Sequence, residues 1–321
     1  MTTVNIEYVL RLADGAAWGF RGIGEAGPWV EEFASAFGIS GDQGHAQSRI
    51  TFAQIPCGSG EPVHASRKLD PGRYPFISSK KLVVVGYPGY IPGNRPDVRE
   101  IILWLGPAKD LRAKAEQMRR SLLPVYRRAI LSGGLPFHAA LLEFEGKGVL
   151  LAGPSGAGKS TCCSRVPDNW RALADDLALG LFCGKGGFRV HPFPTWSAFE
   201  KGQENNFCEA ARSVPLAALF FLQQAETDEL FPLAESQAAI GLAASAVEVF
   251  KAASIAYPSY EHPDIRKAIY HNAAALSHRI PACLLRLSLT GQFWEKIEEV
   301  LGHVETRDKG AEKIFRQTEG E

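Results

Sequence analysis

Residues 148–161 constrain this chain more tightly than any other stretch. Val149 to Ala152 are four consecutive apolar residues, which predict a short buried strand. Gly153, Pro154, Ser155, Gly156, Ala157, Gly158, Lys159, Ser160 and Thr161 follow at once, and this run matches the phosphate-binding loop pattern at every fixed position. Its glycines let the backbone curl so that successive N–H groups point at phosphate oxygens. Lys159 is spaced to reach the β- and γ-phosphates, and Ser160 to offer its hydroxyl to Mg²⁺. A helix opening near Lys159 turns its positive end toward the anion. Residues 153–161 are therefore the candidate ATP contacts, against the plainer reading of a glycine-rich strand-to-helix turn without a ligand.

Length and composition set the frame. A chain of 321 residues accommodates one large domain or two. With 45% hydrophobic and 22% charged residues it can bury a sizeable core. A formal net charge of +0 gives no bulk attraction to nucleic acid or to a membrane surface, so neither partner is expected. No basic segment followed by an apolar run opens the sequence, and no apolar run approaches the roughly 20 residues that span a bilayer. The six cysteines include no C-x-x-C pair, which argues against zinc and thioredoxin-like motifs and for a reducing cytoplasm. Adjacent Cys162 and Cys163 read as small apolar packers in the helix after the loop, with a redox switch as the alternative.

In chain order, Tyr8–Leu12 and Ala16–Arg21 predict a hairpin about Ala13-Asp14-Gly15. A helix begins near Pro28, carries Trp29, Val30, Phe33 and Phe37 on one face, and ends at Gly38. Strands are expected over Arg49–Ile55, Lys81–Tyr87 and Glu100–Leu105, with turn and loop over Tyr87–Pro96. Ala108–Leu131 has helical periodicity, interrupted at Pro124, and its Arg119-Arg120 and Arg127-Arg128 pairs read as a solvated face or a partner surface. Ser132-Gly133-Gly134 is a hinge into strands at Phe137–Phe144 and Gly148–Ala152. After the loop come a short helix, a strand over Trp170–Ala174, a hairpin of Leu177–Cys183 with Gly187–His191, and a buried strand over Val214–Leu222. Helices over Gln237–Lys251, Pro263–His278 and Gly291–Gly302, and a strand over Cys283–Leu289, complete the pattern.

A phosphate-binding loop says what is held; an acid says what is done. Phosphate-loop enzymes commonly place an acid at the end of an apolar strand to hold Mg²⁺. Val214–Leu222 ends instead in Gln223-Gln224. The acids come earlier, at Asp175-Asp176, on a strand expected to return alongside the loop strand. One can coordinate Mg²⁺ with Ser160 while the other accepts a proton from an attacking hydroxyl. The competing reading is a capping pair at a strand end. His138, on the strand before the loop, is a candidate for the site. His191, in His-Pro-Phe-Pro-Thr-Trp-Ser, is a second candidate, on a rigid proline-rich turn that would line an acceptor pocket.

A histidine-bearing strand, a second strand, the Gly153–Thr161 loop, a short helix and Ala174-Asp175-Asp176 together resemble the catalytic domain of HPr kinase/phosphorylase. That domain is similar in its core to ATP-type phosphoenolpyruvate carboxykinase. The longer segments beginning at Gly134, Gly158, His191 and Val214 resemble a narrower group, the HPr-kinase-related ScmC proteins of the SynChlorMet cassette. The resemblance is strongest over residues 130–225. It implies that Lys159 binds phosphate, Ser160 and Asp176 ligate Mg²⁺, Asp175 is the base, and His138 is the family histidine. The Glu-Ile-Arg-Gly-Leu-Gly signature of HPr kinases is absent, so neither HPr as substrate nor reversal by phosphorolysis is carried over.

These observations predict an α/β protein with an HPr kinase/carboxykinase-like core over residues 133–304, an N-terminal α+β accessory region over 1–132, and a polar tail over 305–321. The expected activity is ATP- and Mg²⁺-dependent phosphorylation of a Ser or Thr hydroxyl on a peptide or protein in ribosomal peptide maturation. The resemblance adds radical SAM proteins of the cassette as partners. The alternatives are a small-molecule kinase acting on a free amino acid, a nucleotide-dependent peptide-binding module without catalysis, and a carboxykinase-like enzyme.

Overall fold

The computed structural model describes residues 6–41, 45–54, 77–79, 82–86, 100–202, 208–254 and 263–303. The expected loop over Tyr87–Pro96, Cys57 and the tail from residue 305 lie outside them.

The first hairpin pairs β1 (Glu7–Arg11) with β2 (Ala17–Ile23). Helix α1 (Gly27–Ala36) starts with Pro28 in its first turn, where a missing N–H costs nothing. Gly38 (φ 61°) follows in the left-handed region. Strands β3 (Ser48–Gln54), β4 (Ile77–Ser79), β5 (Leu82–Gly86) and β6 (Glu100–Leu105) complete a six-stranded sheet in the order β1-β2-β3-β6-β5-β4. The aromatic face of α1 covers this sheet, with Trp29 4.6 Å from Phe52 and Phe33 5.1 Å from Phe20, ring centre to ring centre. Pro124 divides the long helical pattern into α2 (Leu111–Ser121) and α3 (Leu123–Leu131). The two arginine pairs on these helices are not a solvated face: all four residues are half-buried, Arg120 bonds Glu116, and Arg128 bonds Asp14 of the hairpin turn. Packing of both helices against neighbours draws the guanidinium groups inward.

The second sheet is organised on β7 (Leu135–Phe144). Its second half pairs with β8 (Lys147–Ala152) on one edge. Its other edge takes first β9 (Trp170–Ala174) and then β10 (Leu177–Phe182). The expectation that β9 runs beside the loop strand is therefore corrected: β9 pairs with β7, one strand removed from β8. The reason is that β12 (Val214–Gln224) takes the free edge of β8 in parallel. Strand β14 (Ala282–Leu287) extends the sheet beyond β12, and the short β13 (Glu229–Pro232) lies at its edge. Strand β11 (Phe188–Phe193), followed by the short helix α5 (Trp196–Glu200), pairs with β10 and returns to the start of β12, so this end of the sheet closes on itself.

Strand β8 and the centre of β12 are buried on both faces, which explains their nearly continuous apolar runs, whereas β14 alternates buried with half-buried residues. Alternate residues serve opposite layers. Leu150 and Leu219 face the core under α6 (Glu235–Ser254) and α7 (Pro263–Arg279). Val149, Leu151, Phe220 and Leu285 face α4 (Lys159–Arg165) and α8, the helix over residues 293–303. The first core is continuous with that of the N-terminal sheet: Phe37 meets Phe193 at 5.3 Å and the Ala210 N–H donates to the Phe37 carbonyl at 3.1 Å. The chain is thus a mixed α/β protein. Among the described residues no helix is long and apolar enough to cross a membrane.

Candidate functional site

The glycine-rich loop leaves β8 at Gly153 and enters α4 at Lys159. Gly156 (φ 82°) and Gly158 (φ 110°) take backbone angles that L side chains rarely adopt, so the curl depends on glycine at both. The turn is closed by the Ala157 N–H donating to the Pro154 carbonyl at 3.1 Å. Lys159 folds back over it, its Nζ donating to the carbonyls of Gly153 (2.7 Å) and Pro154 (3.2 Å). Burial lowers the Lys159 pKa, opposed by the nearby charges of Asp176, Glu248 and Asp175. Pro154, Ser155, Gly156, Ser160 and Thr161 are exposed on the loop's outer surface. At the end of β12, where many phosphate-loop enzymes carry an acid, the Gln224 side chain donates to the Gly156 carbonyl at 2.7 Å and ties the loop to the strand end.

Strand register explains how distant residues meet here. Ala139 pairs with Ala152, so His138 comes level with the first loop residue, Gly153. On the other edge of β7, Leu177 pairs with His138, which brings Asp176 beside the same histidine. His138 Nε2 lies 3.0 Å from Asp176 Oδ1, and its Nδ1 lies 3.0 Å from Glu248 Oε1 on α6. Carboxylates accept, so the two contacts together call for a proton on each ring nitrogen. The hydrogen bond with Asp176 is the chief influence holding the His138 pKa above its ordinary value, and that with Glu248 adds to it. Burial and the Lys159 charge oppose both. Asp175 is held from the other side, accepting a hydrogen bond from the Thr195 hydroxyl. Lys159, His138, Asp175 and Asp176 thus share one site.

His191 is not part of it. This residue is 1% exposed on β11, and both ring nitrogens are engaged by backbone. Nδ1 donates to the Ala210 carbonyl at 2.8 Å, and Nε2 accepts from the Ala13 N–H at 2.9 Å. Burial lowers its pKa, consistent with a neutral imidazole. The proline-rich turn expected around it is instead strand through Phe193, with Pro192 opposite Ala178 of β10. The histidine joins the tip of the first hairpin to the second sheet, and its ring nitrogens are taken by these backbone contacts. Cys162 and Cys163 fit the packing reading: burial pushes both thiols up to about 12, so neither is a thiolate at neutral pH.

Two contacts of the candidate site lie outside the residues that the sequence motifs single out. Thr195 was recoverable from the β10–β11 hairpin. Leu177 pairs with Phe193, so continuing that register by two residues sets Thr195 opposite Asp175. Glu248 left no local signal, being one acid on an amphipathic helix.

The fold and site define a mixed α/β protein built on a glycine-rich strand–loop–helix, with a histidine and an acid pair at the mouth of the loop. Residues 102–302 match the family model of SynChlorMet cassette protein ScmC, and the chain belongs to that family. No curated protein matches it.

Proposed function

We propose that this protein is an HPr-kinase-like phosphotransferase that uses ATP and Mg²⁺ to phosphorylate a Ser or Thr hydroxyl of a peptide or protein. The observation that carries the reading is the convergence of Lys159, His138, Asp175 and Asp176 at one glycine-rich loop. The loop's composition and its left-handed glycines suit a phosphate cradle, and exposed Ser160 at the start of α4 suits a metal-bound phosphate. Among the described residues no three His, Cys, Asp or Glu side chains gather as a metal cage. A nucleotide-borne Mg²⁺ asks for less, one or two protein oxygens beside phosphates and water, and Ser160 with Asp176 can offer them.

Bound MgATP would supply the phosphoryl group and neutralise charge on its oxygens. The chain's own residues account for the rest. Lys159 would give up its two carbonyl partners to bind phosphate oxygens. Thr195 engages Oδ1 of Asp175, which orients the carboxylate to take up the proton of the acceptor hydroxyl. His138 holds Asp176 in place for the metal. ATP as donor puts the reaction in the cytoplasm, and the cassette context suggests that its small peptides are the acceptors and its radical SAM proteins the neighbours.

Intact-mass spectrometry of cassette peptides incubated with the protein, ATP and Mg²⁺ tests this reading. The expected result is a mass gain of one phosphate that is lost with Lys159→Ala. Tight ATP binding with no phosphorylated product from peptides or amino acids would replace the kinase reading with a binding module.

A further inference from the structure

Helix α6 does more than cover the sheet. Ser245 and Glu248 stand three residues apart, and hence on one helix face. Both grip the same residue: the Ser245 hydroxyl oxygen accepts from the His138 backbone N–H at 2.9 Å, and Glu248 Oε1 meets His138 Nδ1 at 3.0 Å. With Nδ1 taken on the helix side, only Nε2 is left to face Asp176, which it does at 3.0 Å. An imidazole bonded through one nitrogen alone can flip or swing about its side-chain bonds. Bonded at both, its orientation is fixed. The Glu248 side chain is 63% exposed and that of His138 18% exposed, so the contact adds little to core packing.

We infer that Glu248 is a positioning residue: it locks the His138 ring so that Nε2 holds Asp176 in the geometry that phosphoryl transfer needs. The role in catalysis rests on the kinase reading; the locking of the ring does not. Partners that orient a metal ligand are typically worth about 10–100-fold in affinity or activity, and Glu248 acts on such a partner, His138.

Two variants test it. Glu248→Ala removes the acceptor, and Glu248→Gln keeps an oxygen for the Nδ1 proton. The first should lower kcat about 10-fold or more and raise the Mg²⁺ concentration needed for half-maximal rate, while KM for ATP holds. Glu248→Gln should recover most of the loss. A merely structural role would move none of these separately from thermal stability. Independently of activity, ¹⁵N-edited NMR should show a hydrogen-bonded Nδ1 proton of His138 in wild type and in Glu248→Gln. That signal should vanish in Glu248→Ala, with the buried His191 ring proton unchanged as an internal control. An unchanged His138 signal in Glu248→Ala, or an unchanged kcat in an active enzyme, overturns the inference. A lost His138 signal in a protein that transfers no phosphate supports the locking and overturns the kinase reading alone.

Discussion

The ammonium group of Lys159 lies 2.7 Å from the carbonyl oxygen of Gly153, six residues before it, so the lysine closes the loop it belongs to. Burial lowers its pKa, yet the carboxylates of Asp176, Glu248 and Asp175 favour the charged form. This arrangement keeps a cation waiting beside the loop amides. Replacing it with alanine should cut kcat/KM for ATP-dependent phosphorylation by about 10²–10³, roughly the cost of removing one preorganised stabiliser of transition-state charge. The change in stability should stay within about 1 kcal/mol, since the loop keeps its backbone hydrogen bond. Initial rates, calorimetric ATP titration and urea unfolding measure these, and a Lys159→Ala protein with native affinity and rate would remove the phosphate assignment.

The two acids have different partners and should fail differently. Asp175 is held by the Thr195 hydroxyl, and Asp176 by His138. Asp175→Asn should lower kcat by about 10²–10⁴, the usual contribution of a general base, with ATP affinity retained. Asp176→Asn should chiefly raise the Mg²⁺ requirement, by about 10–100-fold. Rates measured across a Mg²⁺ series separate the two. If both variants show the same defect, the division into base and metal ligand is wrong.

The contrast between these acids and their supports shows what the sequence made legible. Loop, acid pair and strand edges were readable because each depends on local pattern: apolar runs, glycine spacing, turn residues. The partner of β9 was not, because strand pairing is decided by which edge is free, and β12 occupies that of β8. His191 looked like a site residue from its neighbours Pro192 and Trp196. One of its two actual partners, the Ala13 N–H, is 178 residues away. Glu248 stands between Val247 and Val249 on a helix, where an exposed acid is ordinary. Only the packing of α6 on β7 gives it a role.

The first hairpin should depend on Arg128 of α3, whose guanidinium bonds the Asp14 carboxylate in the turn. The Asp14 side chain is 7% exposed and that of Arg128 25% exposed, so removing the arginine leaves a nearly buried carboxylate without its cation. Arg128→Ala should destabilise the protein by about 1–3 kcal/mol, less than for a fully buried pair because solvent reaches the arginine. Urea unfolding with an unchanged m-value reads this directly. A shift below about 0.5 kcal/mol would class the pair with ordinary surface ion pairs.

His191 links the same hairpin to the second sheet, and its protonation should set the acid limit of stability. Its folded-state pKa is lowered, first by burial, so between that value and the unfolded value of about 6.5 the unfolded chain binds more protons. The histidine's contribution is therefore complete above about pH 6.5 and is lost as pH falls through its folded pKa. The molecular cause is specific: Nε2 must stay unprotonated to accept the Ala13 N–H, while Nδ1 keeps its proton for the Ala210 carbonyl. His191→Ala should cost about 1–3 kcal/mol at pH 7.5, the penalty for leaving buried backbone groups unpaired, and should flatten the loss of stability as pH falls below about 6.5. Urea midpoints for both proteins across that range measure the effect. Rates normalised to folded protein then check that the role of this residue is structural. A structural histidine loses stability first, whereas a catalytic one would lose kcat with its stability intact.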